Sequence, residues 1–126
     1  HRTRTGRQPV RPYEKRAGGP REVRFAGMTV RWTDTAQEHL DAIYAYIAQD
    51  SPAYALRMVD RLTRRSQQIA EAPLSGRRVP EYDMDQIREV IERPYRVIYH
   101  IKPDQIDVIA VLHGARNVLR AGEEQD

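Results

Sequence analysis

Three short apolar runs set close together constrain this chain more than any other feature. Ile87 to Glu92 is separated from Tyr95 to Ile101 by Arg93-Pro94, and Lys102-Pro-Asp-Gln105 separates that run from Ile106 to Leu112. Links of two and four residues are too short for a crossover helix, so these strands should pair antiparallel. The last two runs hold Val and Ile at odd and even positions alike. Such composition belongs to strands covered on both faces, in the middle of a sheet.

Two helical patterns precede the strands. Ala36, Leu40, Ile43, Tyr44 and Ile47 recur at three- and four-residue steps. Thr35-Ala-Gln-Glu38 has the spacing of a capping box that would start that helix. Asp50-Ser51-Pro52 interrupts the pattern and restarts it, with Ser51 as a cap and Pro52 at the first helical position. Ala55, Met58, Val59, Leu62 and Ile69 form the stripe of the second helix, which Ala72-Pro73 ends. A break this short predicts an antiparallel helix hairpin. Ahead of it, Met28 to Thr33 alternates as a short strand, and Pro73 to Gln86 reads as loop. The expected order is β-α-α-β-β-β. This is an α+β layer, with a helix hairpin packed on one face of a mainly antiparallel sheet.

Charge divides the chain in two. Its 126 residues carry a net charge of +3 and a pI near 9.4, which taken alone suggests a polyanionic partner. Residues 1–27, however, hold eight basic and two acidic side chains, whereas residues 28–126 hold thirteen and sixteen. The basic character therefore resides in a Pro- and Gly-rich tail with few apolar residues, apart from a strand-like stretch at Arg21 to Phe25. The expected organisation is a tail over 1–27, a folded domain over 28–122 and an acidic end over 123–126. Met28 reads as the native start and the tail as a non-native addition; the other reading is a basic arm for nucleic acid or a partner. The absence of Cys excludes disulfides and thiolate metal sites. No stretch approaches the ~18–20 apolar residues of a membrane span, and no secretory segment is evident. HExxH and EF-hand spacings are missing too, so no metal or cofactor is expected.

The groups able to do chemistry lie in the second half. Arg77 and Arg78 fall in the loop before the strands; Arg96, Ile98 and His100 share one strand face, and His113 sits at a strand end, close to Arg116. Arg and His without paired acids suit an anionic ligand, since guanidinium grips phosphate and imidazole moves a proton. Each also has a plainer role. Arg77 and Arg78 read equally as solvated loop charges, and Arg96 as a cross-strand partner of Glu89 or Glu92. His100 reads foremost as structural, and His113 as a packed strand-end histidine. Glu81, Asp83 and Asp85 resemble a cation cluster, although three loop acids are usually just solvated. Arg57, Arg61, Arg64 and Arg65 form either the wet face of the second helix or a surface for an acidic partner.

Residues 28–119 resemble the RelE/ParE superfamily of toxins from bacterial type II toxin–antitoxin modules, the plasmid-stabilisation type. The resemblance rests on Val30-Arg-Trp-Thr33, Ala36, Leu40, Ile43 and Tyr46-Ile47, on Pro73-Leu-Ser-Gly-Arg-Arg-Val-Pro80, on Tyr95-Arg-Val-Ile-Tyr99, and on Ile109 followed by Val111-Leu-His-Gly-Ala-Arg116. It implies a cytoplasmic growth inhibitor held inactive in a hetero-oligomer by a cognate antitoxin, which Arg57, Arg61, Arg64 and Arg116 would help to bind. It also implies one of two targets, DNA gyrase or the ribosome with its mRNA. A metal-independent mRNA endoribonuclease would use Arg78, Arg96 and His113; no residue of the sequence specifies gyrase binding. A domain that is neutral once Glu123, Glu124 and Asp126 are set aside favours gyrase, because phosphate contacts dominate RNA affinity. An inactive member that only binds its antitoxin is the third possibility.

Overall fold

The structure, a computed structural model, describes Tyr13, residues 22–25 and residues 28–114. Strands β1 (Glu22–Phe25) and β2 (Met28–Trp32) lead into helices α1 (Asp34–Ala48) and α2 (Pro52–Ile69). A 3-10 turn at Pro73–Ser75 and a two-residue strand β3 (Arg77–Arg78) follow, then β4 (Ile87–Glu92), β5 (Tyr95–Ile101) and β6 (Gln105–His113). They form one sheet in the order β1-β2-β6-β5-β4-β3. The β4-β5-β6 meander is antiparallel, as its short links require. β2 joins it parallel to β6, with Val30 opposite Ile106 and Trp32 opposite Val108. The long path through the helix hairpin makes that parallel pairing possible. β5 and β6 are central, as their two-sided apolar composition demands.

The first helix begins two residues earlier than the capping box suggests. Thr33, not Thr35, is the cap: its backbone is extended and its hydroxyl accepts from the Ala36 N–H at 3.1 Å. Thr33 wins because it is tied to the sheet as well, its hydroxyl and its N–H each donating to the Val108 carbonyl at 3.1 Å. Ser51 caps α2 as expected, accepting from Tyr54 N–H at 3.1 Å with Pro52 in the first position.

The hairpin buries Ala36, Leu40, Met58, Val59, Leu62 and Ile69 against Trp32, Val97, Tyr99, Val108 and Val111 of the sheet. Each large apolar side chain removed from water contributes roughly 1.5–3 kcal/mol before entropy is counted. A polar pair within this core is satisfied: the Trp32 indole donates to the Ser66 hydroxyl at 3.1 Å, and that hydroxyl donates to the Thr63 carbonyl.

A β-bulge between Ile98 and Tyr99 pairs Ile98 with Ala110 but Tyr99 with Val108. Ile109 is the extra residue, so the alternation of β6 changes phase there. Ile106, Val108 and Val111 thereby all face the helices, although a strict period of two would turn Val111 away. The opposite sheet face is covered by the chain between α2 and β4. That segment, expected as uninterrupted loop, contains the 3-10 turn and β3, and it lays Val79 and Tyr82 over Ile87, Ile98 and Ile109. Two features organise it. Arg77 pairs with Glu89 across β3 and β4. The buried Tyr99 hydroxyl accepts from the Gly76 N–H at 3.1 Å and donates to the Pro73 carbonyl at 2.6 Å. Gly76 is required by that approach, since a Cβ there would lie 2.7 Å from the Glu89 carbonyl oxygen.

Candidate functional site

Two clusters collect the polar side chains of interest, one on each face of the sheet. On the face away from the helices, Arg96 is 5% exposed and Glu89 1%. The Arg96 guanidinium meets Glu89 at 2.7 Å and Glu81 at 3.0 Å, and Arg77 closes on the other Glu89 oxygen. Burial alone would lower the Arg96 pKa; hydrogen bonds to Glu81 and Glu89 outweigh it and raise it. Of the two cross-strand partners open to Arg96, Glu89 is the one it takes. Glu92 instead turns to the helix face, where Arg61 forks onto it at 2.9 and 3.0 Å.

The second cluster lies at the end of the molecule where the α1–α2 break approaches the start of β5 and the finish of β6. Here Tyr95 packs edge-on against His113, with ring centroids 5.8 Å apart. Burial, and then the nearby phenols of Tyr54 and Tyr46, push the Tyr95 pKa up. Tyr46 is 72% exposed, and Arg57 stands 5.7 Å over the Tyr54 ring. His113 follows the register of Tyr95, whereas Leu112 is the partner of Arg96. By the alternation of β5, Arg96 and His113 therefore point to opposite faces.

Arg78 lies elsewhere again, on the outermost strand, bonded to Asp83 at 2.7 Å and Asp85 at 3.3 Å. The three residues of the nuclease reading thus stand at three separate places, and two of them are engaged with carboxylates. The acids that resembled a cation cluster are distributed among arginines. Glu81 serves Arg96, while Asp83 and Asp85 serve Arg78, with Asp85 also near Arg88. Among the described residues, no group of three or more His, Cys, Asp or Glu is arranged to hold a metal. No helix among them is long and apolar enough to cross a membrane.

The arginines proposed for a partner lie along the outer face of α2. Arg57 covers Tyr54, Arg61 holds Glu92 and the Arg93 carbonyl, and Arg64 pairs with Asp60 at 3.0 Å. Arg116 lies outside the described residues. Sequence reasoning passed over Tyr95 as the companion of His113, and Tyr46 and Tyr54 as neighbours of Tyr95. Tyr46 stands outside the five-residue core stripe of the first helix, and an aromatic off the stripe is the signal that was available.

Residues 30–118 match the family described as the ParE toxin of the type II toxin–antitoxin system parDE. Y4kP of Sinorhizobium fredii, a candidate toxin, is 36% identical over 86 residues, spanning 67% of this chain and 85% of its own length. Toxin RelE2 of Caulobacter vibrioides is 35% identical over 88 residues, 69% of this chain and 96% of that protein. The fold is that of a chain from the chromosomal ParDE toxin–antitoxin system of P. aeruginosa, at 24% identity and a TM-score of 0.59, over 69% of this chain and 96% of the other. With the helix hairpin, the parallel β2–β6 pairing and the meander all in place, the chain belongs to the ParE family of type II toxin–antitoxin toxins, within the RelE/ParE superfamily.

Proposed function

We propose that residues 28–122 form a growth-inhibiting toxin that a cognate antitoxin neutralises in a hetero-oligomer, and that the toxin acts on DNA gyrase in the cytoplasm rather than by cutting mRNA. The observation that carries the choice of target is the state of Arg96. Phosphate recognition needs a guanidinium with free donors, and this one is buried against two carboxylates. A general acid or base must also reach the same reacting atom as its cationic partner, and His113 faces the other side of the sheet. Both features support a toxin that works through its surface. The exposed side chains of the hairpin end and of α2, notably Tyr46, Tyr54, Arg57 and Arg61, have the composition of protein-binding surfaces.

The test is induction of the full chain in a bacterium, with translation, transcript ends and plasmid supercoiling followed in parallel. Loss of negative supercoiling and filamentation ahead of any fall in translation is the expected outcome. Transcripts cut soon after induction, with cutting lost in a folded His113→Ala variant, would replace this reading with the nuclease. Unimpaired growth at high soluble expression would leave a chain that only binds antitoxin.

A further inference from the structure

We infer that the outer edge of β2 and the adjoining face of α1 form a docking surface for a basic segment bearing a tyrosine, and that the chain fills it from its own N-terminal side, through Tyr13 and residues 22–25. Three observations converge on this surface. β1 pairs antiparallel along the edge of β2, with four partnered positions from Glu22–Arg31 to Phe25–Met28. Tyr13 donates its hydroxyl to Asp41 and stacks, tilted, on Tyr44 with ring centroids 5.3 Å apart. It also joins Met28, Ile43 and Ile47 at the rim of the main core.

Charge agrees with the occupant. α1 contains no Lys or Arg and carries Asp34, Glu38 and Asp41 at successive turns of one face. The sequence from Tyr13 to Phe25 carries four basic side chains against two acidic ones. A strand edge left open recruits other strands; here the edge is paired by β1, and the helix beside it is covered by an aromatic side chain. The family match begins only at residue 30, so both attachments come from sequence outside the matched domain. The segment is thus an edge guard added to the family fold. It covers the edge of β2 itself, so that the short strand β1 becomes the edge on that side, and it leaves the α2 face and the β3 edge for partners.

Hydrogen exchange on the full chain tests this, comparing wild type with Tyr13→Ala and Tyr13→Phe. In the wild type the amides of Met28 to Arg31 should be protected independently of protein concentration. Tyr13→Ala should speed their exchange roughly tenfold while leaving β5 and β6 amides unchanged, and Tyr13→Phe, which keeps the ring, should have a smaller effect. Protection that rises with concentration, together with a dimer in light scattering, would overturn the intramolecular assignment and make a second copy the occupant. Unchanged exchange at 28–31 in Tyr13→Ala would overturn the docking surface itself.

Discussion

The two faces of the sheet solve the same problem with opposite chemistry. The helix face is a dry core in which Leu62, Met58, Val97, Tyr99 and Val108 are fully buried. Among the described residues, no helix covers the other face. A short segment lies across it, with a small cluster around Val79, Ile87 and Ile98, and the space beside that cluster is held by Arg77, Glu89, Arg96 and Glu81. Apolar packing stabilises without direction and tolerates exchange of similar shapes. A buried ion pair is directional: it does little net work when complete and is costly when broken. One face therefore supplies stability, and the other fixes how the segment before β4 is seated.

The sharpest way to break this comparison is to remove one charge. Arg96→Ala leaves Glu89 buried with only Arg77 beside it, and should cost about 3–5 kcal/mol in urea unfolding. Replacing Arg96, Glu89 and Glu81 together with apolar side chains should recover most of that loss. If the single variant is as stable as wild type, the second face is solvated and the comparison fails. On the helix face, Leu62→Ala should cost about 2–5 kcal/mol by cavity formation, and no second substitution at a charged site should rescue it.

Much of this was legible in the sequence. The meander followed from links too short for helices, and the hairpin from Ser51-Pro52 and the two apolar stripes. The sites were less legible because period-two alternation tells which side chains share a strand face, not what lies above them. Arg96 beside Ile98 read equally as ligand or ion pair, and only the fold of Val79 to Glu81 over that face decides its surroundings. The bulge at Ile109 was hidden for a related reason. It changes the phase of β6 without any Gly or Pro to mark it, and Val111 reaches the core through that change. The cap moved from Thr35 to Thr33 because the Val108 carbonyl, remote in sequence, gives Thr33 a second partner.

Tyr99 links the two faces, since its ring lies in the main core and its hydroxyl ties down Gly76 and Pro73 on the approach to β3. Tyr99→Phe should cost about 1–3 kcal/mol, the range for leaving buried partners unsatisfied. Burial raises the Tyr99 pKa in the folded protein, with partial opposition from the Gly76 bond and from Arg88 and Arg65. Its folded pKa therefore lies above the unfolded value of about 10. The stabilising difference is complete below that unfolded value and is lost as pH rises from there through the folded pKa. Denaturation midpoints measured from pH 8 to 11.5 should fall above about pH 10, and less steeply in Tyr99→Phe, where Tyr95 is left with its own raised pKa.

The smallest effect offers the finest test, because it repeats the Arg–Glu chemistry without the burial. Arg61 reaches Glu92 with Nε and Nη2 at 3.0 and 2.9 Å, a geometry close to that of Arg96 with Glu89, but its side chain is 44% exposed. Water already solvates both ends of that pair, and salt screens it further. Arg61→Ala should therefore change stability by no more than about 1 kcal/mol, and the difference from wild type should shrink toward zero in 0.5 M salt. The deficit of Arg96→Ala should persist under the same conditions, since counterions do not reach a carboxylate as deeply buried as Glu89. Equal losses for the two variants would mean that geometry, not burial, sets the worth of these pairs, and the distinction between the faces would then rest on the apolar core alone.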